Sequence, residues 1–205
     1  NPSYIKFKEE LLKLDNIFFF EAKYSISINN PHEGWRGKRK TAGGGCILDM
    51  GYHIIDLLIW YFGLPTNVIA EFSSRAEQDA EYDAEDTAVI LAKYKKQNIY
   101  GSIIISRVIP PKTEYLKVVS STGVIELLDG VFYRYNSEGK LVEKFEHDLT
   151  KEDITARQLN HFIEILKDGN KKSDEIRQHM QQMAFIESCY VSKKESKYIN
   201  PSHYL

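Results

Sequence analysis

Three ionisable side chains interrupt an otherwise apolar stretch of this 205-residue chain, GGGCILDMGYHIIDLLIWYFG at residues 43–63. They are Asp49, His53 and Asp56, and their spacing of four and then three residues predicts that they share one face of a helix. A carboxylate one turn from an imidazole raises the basicity of the ring and fixes its tautomer. The pattern therefore fits a general base, and it also fits an Asp–His pair on a solvated helix face.

The glycines at residues 43–45 allow another backbone or a ligand to approach the start of this helix, because they have no Cβ atoms. The helix N-terminus also favours a negative charge at Asp49. The chain contains none of GxxxxGK[ST], GxGxxG and GxSxG, which argues against a phosphate loop and a hydrolase nucleophile elbow. Asp49, His53 and Asp56 lack the thiolates of a structural zinc site, so we expect no metal.

The elements around this stretch follow from hydrophobic spacing, which predicts a helix over 3–14, a strand over 17–28 and a long helix over 44–62. Between them, 29–42 has the Asn, Pro, Gly and charged composition of a loop, and it contains Trp35 and Arg36. Loops of this length in a compact domain are often functional. Trp35 and Arg36 therefore either line a site or anchor the loop on the surface.

Turn signals such as Asp129-Gly130 divide the middle of the chain into short β-branched and aromatic segments. They predict an antiparallel meander with strands at 66–76, 86–94, 99–106, 114–120, 124–129, 131–136 and 141–147. The run Ile103–Ile105 is apolar on both faces, so we expect that strand to be covered on both sides, by helices or by another subunit. This run motivates the prediction of a homodimer or homotetramer that forms through the sheet.

Helical spacing returns at the end of the chain. It predicts one helix that ends at Asp168-Gly169-Asn170 and a second with an apolar stripe, in which the methionine spacing is typical of core residues. The stripe consists of Ile176, Met180, Met183, Ala184, Tyr190 and Val191. The apolar face of the first of these helices consists of Leu159, Phe162, Ile163 and Leu166. Together the elements predict a single α+β domain over 1–205, with a large, mainly antiparallel β-sheet flanked by helices.

Composition limits the partners of this domain. Apolar residues make up 42% of the chain and the net charge is -2, without strong clusters of Lys and Arg, so we expect no nucleic acid and no membrane as partner. No apolar run reaches the roughly 18 residues that a membrane span needs. Two cysteines, Cys46 and Cys189, do not make a disulfide framework, which favours reduced thiols and a cytoplasmic protein.

The 43–63 stretch resembles the signature GGG-x-x-x-D-x-G-x-H-x-x-D…G of the Gfo/Idh/MocA oxidoreductases, the relatives of glucose–fructose oxidoreductase and inositol dehydrogenase. The residues in register are Gly43, Gly44, Gly45, Asp49, Gly51, His53, Asp56 and Gly63. The similarity extends over essentially the whole chain, through WRGKRKTAGGG, EDTAVILAKYKKQNIYGSIIIS, EYLKVVSSTGVIEL and the final SCYVSKKESKYI. The resemblance implies the C-terminal domain of these enzymes, which is similar to that of dihydrodipicolinate reductase.

In this family a Rossmann domain with GxGxxG and Glu-Lys-Pro motifs precedes such a domain, and neither motif occurs in this chain. The chain opens on a predicted helix and lacks an initiator Met, so we expect a substrate-binding and oligomerisation domain without its dinucleotide-binding domain. NAD or NADP would be held mainly by that absent domain, and we expect no cofactor in this chain.

The resemblance also implies roles for individual residues in oxidising a hydroxyl of a sugar, cyclitol or nucleotide-sugar. His53 is the expected base or proton relay, and Asp49 is expected to orient it and to bind a substrate hydroxyl. Trp35 and Arg36 are expected to line the substrate pocket, whereas Asp56 is expected to be structural. The alternative is a stand-alone, non-catalytic sugar-binding or scaffold module.

Overall fold

The computed structural model describes residues 1–31, 33–74, 82–167 and 172–205, with the side chains of the last range described from residue 176 onward. Its helices are α1 (Pro2–Leu11), α2 (Arg39–Ala42), α3 (Tyr52–Phe62), α4 (Lys151–Lys167) and α5 (Lys172–Glu195). Its strands are β1 (Ile17–Ser27), β2 (Asn67–Ser73), β3 (Thr87–Tyr94), β4 (Ile99–Ser106), β5 (Val108–Ser120), β6 (Gly123–Leu128), β7 (Val131–Asn136) and β8 (Leu141–Phe145). The predicted helix stop at Asp168-Gly169-Asn170 lies outside the described residues.

The strands form one eight-stranded sheet in the order β2-β3-β4-β1-β5-β6-β7-β8. β1 lies inside it, parallel to β4 and antiparallel to β5, and the other neighbours pair antiparallel. Every predicted strand therefore has a counterpart, and the prediction of an α+β domain with a mainly antiparallel sheet is confirmed.

One face of the sheet carries the core, because alternate side chains of each strand point under the helices. Phe20, Ala22, Ile103 and Ile105 are fully buried there with Ile54, Ile55 and Leu58 of α3. Ile104, between two buried neighbours, is only partly buried and belongs to the opposite face. Helices thus cover two of the three isoleucines, and among the described residues no helix covers the second face.

The long helix predicted over 44–62 is divided in the structure. A π-helical turn at Ile47–Gly51 precedes α3. Such insertions are frequent at functional sites, and this one contains Asp49. The helical stretch Arg39–Phe62 is long and apolar enough to cross a membrane by composition, but 56% of its apolar window is buried inside the protein. This burial is typical of the core helix of a globular fold.

The glycine segment, residues 43–47, is held by Glu85, which lies two residues before the start of β3. The Glu85 carboxylate oxygen Oε1 accepts hydrogen bonds from the backbone N–H groups of Gly45 (2.9 Å) and Ile47 (3.2 Å) and from the Tyr190 hydroxyl (2.8 Å). A Cβ on Gly45 would lie 2.0 Å from the Glu85 carbonyl oxygen, and one on Gly44 would lie 2.1 Å from Tyr190 Oη. The missing Cβ atoms therefore leave room for the backbone of Glu85 and the side chain of Tyr190.

The interpretation of Ile176, Met180 and Met183 as core residues is wrong. They are 59%, 51% and 49% exposed, and Leu159, Phe162, Ile163 and Leu166 of α4 are exposed as well. α5 packs on the sheet through its second half, where Phe185, Ile186 and Cys189 are buried. Helical spacing reports an apolar stripe but does not say whether another element covers it.

We expect Ile103→Ala to lower the free energy of unfolding by about 2–5 kcal/mol, because it opens a cavity in the fully buried core. Ile5→Ala is the matched control, since Ile5 is 52% exposed on α1, and should change stability by no more than about 0.5 kcal/mol. Urea unfolding followed by circular dichroism measures both. Equal losses would contradict the assignment of the core.

We expect Gly45→Ala to destabilise the protein by about 3 kcal/mol, the upper range for overpacking, because its Cβ meets the Glu85 backbone. In Gly34→Ala the new Cβ meets nothing within 4 Å, and only the backbone angle φ of +74° opposes it. That control should cost about 1–2 kcal/mol. Thermal unfolding of the two variants decides, and a Gly45→Ala loss no larger than the control would refute the close packing.

Candidate functional site

The structure divides the four predicted site residues between two clefts. Trp35 and Arg36 lie in a 3-10 turn at Gly34–Gly37, Asp49 lies in the π-helical turn, and His53 lies in the first turn of α3. Trp35, Arg36 and Asp49 line one cleft, which we call the Arg36 cleft, and His53 lines another, the His53 cleft. The sequence predicted one constellation, whereas the fold provides two.

The Arg36 cleft has a volume of about 220 Å³. Arg36 Nε lies 3.6 Å from Asp49 Oδ1, and its guanidinium lies 5.1 Å from the centroid of the Trp35 ring. The side chains of Arg36 and Asp49 are 57% and 32% exposed, so solvent screens this ion pair and it adds little stability. Its consequence is positional, since it holds a cation and a carboxylate side by side at the cleft.

Arg107, at the end of β4, supports this cleft and was not predicted from the sequence. It is 1% exposed, and its guanidinium nitrogens donate to the Arg36 carbonyl oxygen (3.4 and 3.5 Å) and to the Tyr82 hydroxyl (3.0 Å). A buried guanidinium is costly unless it is hydrogen-bonded, so these bonds fix the Trp35-Arg36 turn against the sheet. The available signal was a lone cation directly after an isoleucine-rich buried strand.

The His53 cleft is larger, about 640 Å³, and lies between α1, α3 and the sheet. The His53 ring lies 6.0 Å from the Tyr24 ring and 5.9 Å from the Tyr52 ring, measured between centroids. Tyr4, Asp56, Trp60 and Glu114 also line it. His53 is exposed at this surface, so an imidazole accessible to a ligand is surrounded by aromatic rings, hydroxyls and carboxylates.

The expected hydrogen bond between Asp49 and His53 does not occur among the described residues. The π-helical turn ends between the two residues, so they enter different clefts, and the ionic partner of Asp49 is Arg36. The ring neighbours of His53 are instead Tyr52 of the same helix and Tyr24 of β1. Tyr24 therefore reaches His53 from an element that is distant in sequence.

Of the three tyrosines that line the His53 cleft, Tyr4 and Tyr24 lie close to Glu114. The Tyr4 hydroxyl donates to Glu114 Oε1, and burial together with Glu114 raises the pKa of Tyr4 well above its ordinary range. Burial and Glu114 also raise the pKa of Tyr24. Both hydroxyls therefore keep their protons at neutral pH. Within the described parts of the chain the Tyr24 hydroxyl has no hydrogen-bond partner, so its proton is available to a ligand.

Asp56 and Tyr52 connect α3 to α5. Gln178 Nε2 donates to Asp56 Oδ1 at 2.9 Å, and the Tyr52 hydroxyl lies 3.3 Å from His179 Nδ1. Gln182 Nε2 donates to the Tyr52 carbonyl oxygen at 2.6 Å. These bonds fit the predicted structural role of Asp56, although its partner is a helix side chain and not a loop backbone.

Two kinds of site, one for a metal ion and one for a pyrophosphate at the glycines, are absent from the described residues. No group of three or more His, Cys, Asp or Glu side chains among the described residues could hold a metal ion. The space beside Gly44 and Gly45 is filled by Tyr190 and Glu85, so it is no cradle for a pyrophosphate. Gly44 and Gly45 therefore do not fit the pyrophosphate of NAD.

Solved oxidoreductase structures share this fold. The chain aligns over 99% of its length with an oxidoreductase from Agrobacterium radiobacter in complex with NAD+, L-tartaric acid and magnesium (TM-score 0.75, 17% identity, 63% of that chain). It aligns over 97% with a levoglucosan dehydrogenase in complex with NADH and levoglucosan (0.82, 13%, 62%). It also aligns over 97% with the WlbA dehydrogenase from Bordetella pertussis in complex with NADH and UDP-GlcNAcA (0.73, 17%, 59%).

These identities establish likeness of fold alone, and the chain spans about three fifths of the length of the structures that it matches. No curated protein matches it. The model of the GFO/IDH/MocA C-terminal domain matches residues 13–126, which is more than half of the chain and contains β1, the glycine segment, α3 and the central strands. This match shows that the chain belongs to the GFO/IDH/MocA C-terminal domain family, and the eight-stranded sheet agrees with it.

Proposed function

We propose that this chain is the substrate-binding half of an NAD(P)-dependent oxidoreductase that acts on a hydroxyl of a sugar, cyclitol or nucleotide-sugar. The observation that carries the proposal is the position of His53. His53, the histidine of the motif that resembles the family signature, lines a cleft of about 640 Å³ together with hydroxyl and carboxylate groups. This volume lies within the roughly 300–1,000 Å³ of small-molecule sites.

His53 takes the hydroxyl proton in this proposal. Oxidation of a carbon that bears a hydroxyl requires loss of that proton, and a base within hydrogen-bond reach provides the path. The Tyr24 hydroxyl, beside His53 and without a protein partner in the described residues, donates a hydrogen bond to the same substrate oxygen or to its neighbour. The protonated Tyr4, whose hydroxyl is hydrogen-bonded to Glu114, lines the same cleft.

In the same proposal the separate Arg36 cleft binds another part of the substrate. Trp35 is 59% exposed and offers an aromatic face to the apolar side of a sugar ring. Arg36 and Asp49 offer a donor and an acceptor to substrate hydroxyls, and Arg107 keeps the turn that carries Arg36 in place. Asp49 therefore acts on the substrate and on Arg36, and its predicted role in orienting His53 is not needed.

The cofactor, NAD or NADP, is assigned to a part of the complete polypeptide beyond these residues. This assignment is supported by the filled space at the glycines and by the solved relatives, which are longer than this chain and include complexes with NAD+ or NADH. The ligands named for those relatives, L-tartaric acid, levoglucosan and UDP-GlcNAcA, are polyhydroxy compounds. They motivate the proposed substrate class. Buried free thiols at Cys46 and Cys189 accord with a cytoplasmic protein.

The first test is the mass of the native polypeptide, measured by immunoblot of its source cells with an antibody against this domain. A band larger than 23.7 kDa by a dinucleotide-binding domain, roughly 100–150 residues, supports the proposal. A band at 23.7 kDa would favour a stand-alone sugar-binding module.

In the complete enzyme, we expect His53→Ala to lower kcat by at least about 100-fold, the lower end for general acid–base catalysis. His203→Ala is the matched control, because His203 is exposed in the C-terminal 3-10 turn and lines neither cleft. Steady-state reduction of NAD(P) with the best substrate of a polyol panel measures both. Near-normal kcat in His53→Ala would remove the imidazole from the reaction.

The uncovered sheet face supports the proposal of a homodimer or homotetramer. Val89, Leu91 and Tyr100 are 45%, 47% and 56% exposed on adjacent strands, although strand residues of this kind are usually covered. Phe19 and Tyr100 pack edge to face at 5.7 Å and continue the apolar surface across the middle of the sheet. A second copy of the chain buries this face in our proposal.

We expect Leu91→Glu to convert the oligomer to a monomer, because it places a charge in a desolvated interface. Leu12→Glu is the control, since Leu12 is 81% exposed on the C-terminal side of α1. Sedimentation velocity at micromolar concentration reports the mass. A wild-type monomer, or a Leu91→Glu variant that keeps the wild-type mass, would contradict association through this face.

A further inference from the structure

The His53 cleft does not end at Trp60. A second cavity of about 350 Å³, which we call the Trp60 cavity, lies between α3, α4 and α5. Asp56, Leu57, Trp60 and Gln158 line both spaces, so the two adjoin. Each is of the size that holds a small molecule, roughly 300–1,000 Å³. A ligand at His53 that is longer than one ring would therefore extend toward the Trp60 cavity along these shared residues.

The residues of the Trp60 cavity combine two aromatic rings with amide and carboxylate groups. Trp60 and Phe162 supply the rings, and Gln158, Gln178 and Asp56 supply donors and acceptors. A pyranose ring presents apolar C–H groups on its faces and hydroxyls at its edge. Aromatic surfaces cover the former and amides bind the latter.

The Phe162 side chain lies at the rim of the cavity and is more than half exposed to solvent. Ile165, one turn away on α4, is 5% exposed and anchors the helix, while Phe162 is 55% exposed at the rim. On the other side Lys8 Nζ lies 4.0 Å from the centroid of the Trp60 ring, and Tyr61 packs against it at 5.0 Å. Trp60 is therefore fixed by its neighbours, and a ligand between the rings would cover apolar surface that the described protein leaves open.

The charges of the two spaces select among ligands. No Lys or Arg side chain lines either of them within the described residues, whereas Asp56 and Glu114 do. A diphosphate placed in these two spaces would lie near the two carboxylates, and no Lys or Arg among the described lining residues would pair it. A neutral second ring meets no such cost.

We propose that the Trp60 cavity is a subsite for a second, uncharged sugar ring, so that the substrate is a disaccharide or other neutral glycoside. The ring that carries the reacting hydroxyl lies against His53 and Tyr24, and the second ring lies between Trp60 and Phe162. This proposal rests on the proposed function, because it assigns the substrate class of the same site.

The test uses the complete polypeptide labelled with 5-fluorotryptophan, in which Trp60→Phe assigns the fluorine resonance of Trp60. The probes are glucose, myo-inositol, maltose, cellobiose, lactose, sucrose and UDP-glucose. At least one neutral disaccharide should shift the Trp60 resonance and bind more tightly than glucose and UDP-glucose. A Trp60 resonance that no disaccharide moves, or UDP-glucose as the tightest ligand, would overturn the proposal.

Phe162→Ala should weaken the binding of that disaccharide about tenfold by loss of one aromatic wall, and it should leave the affinity for glucose within about twofold. Leu159→Ala is the matched control, because Leu159 is 58% exposed on the same helix and does not line the cavity. Equal effects of Phe162→Ala on one-ring and two-ring ligands would overturn the subsite. If reduction of NAD(P) by glucose or inositol persists in that case, the proposed function survives; if no sugar or cyclitol is oxidised, the proposed function fails.

Discussion

The buried carboxylate of Glu85 is the interaction on which the architecture of the site depends. A carboxylate that is withdrawn from water must be hydrogen-bonded, and Oε1 of Glu85 accepts from two backbone N–H groups of the glycine segment and from the Tyr190 hydroxyl. The Glu85 carbonyl oxygen also accepts from Cys46 N–H at 2.7 Å. Glu85 alone thus joins the sheet, the start of the central helix and α5. The same carboxylate and burial raise the pKa of Tyr190 above its ordinary range, so the hydroxyl remains a donor.

The sheet then determines what faces each cleft. β1 and β4 run parallel, with β1 inside the sheet, and they bring Tyr24 to His53 and Arg107 to the Trp35-Arg36 turn. The described helices cover one face and form the clefts at their edges, whereas none of them covers the other face. In the functions that we propose, substrate binding and self-association lie on opposite sides of one sheet, so both can occur together.

The family relationship rests on pattern more than on residue identity. Solved structures with 13–17% identity reproduce this fold over nearly the whole chain. Many residues can satisfy the alternation of buried and exposed strand positions, but few can replace glycines whose Cβ positions are occupied by the Glu85 backbone and by Tyr190. The 43–63 stretch was informative for this reason.

By itself the sequence determined the α+β class, the order of the elements and the motif that carries Asp49 and His53, because periodicity and turn residues act locally. Only the tertiary structure decided that these two residues enter separate clefts, that Tyr24 adjoins His53 and that Arg107 supports Arg36. Each of these relations joins elements that are distant in sequence, and strand pairing and packing set them. The exposure of Met180 and Met183 has the same origin, since a stripe of apolar residues specifies a face and the rest of the fold decides whether anything covers it.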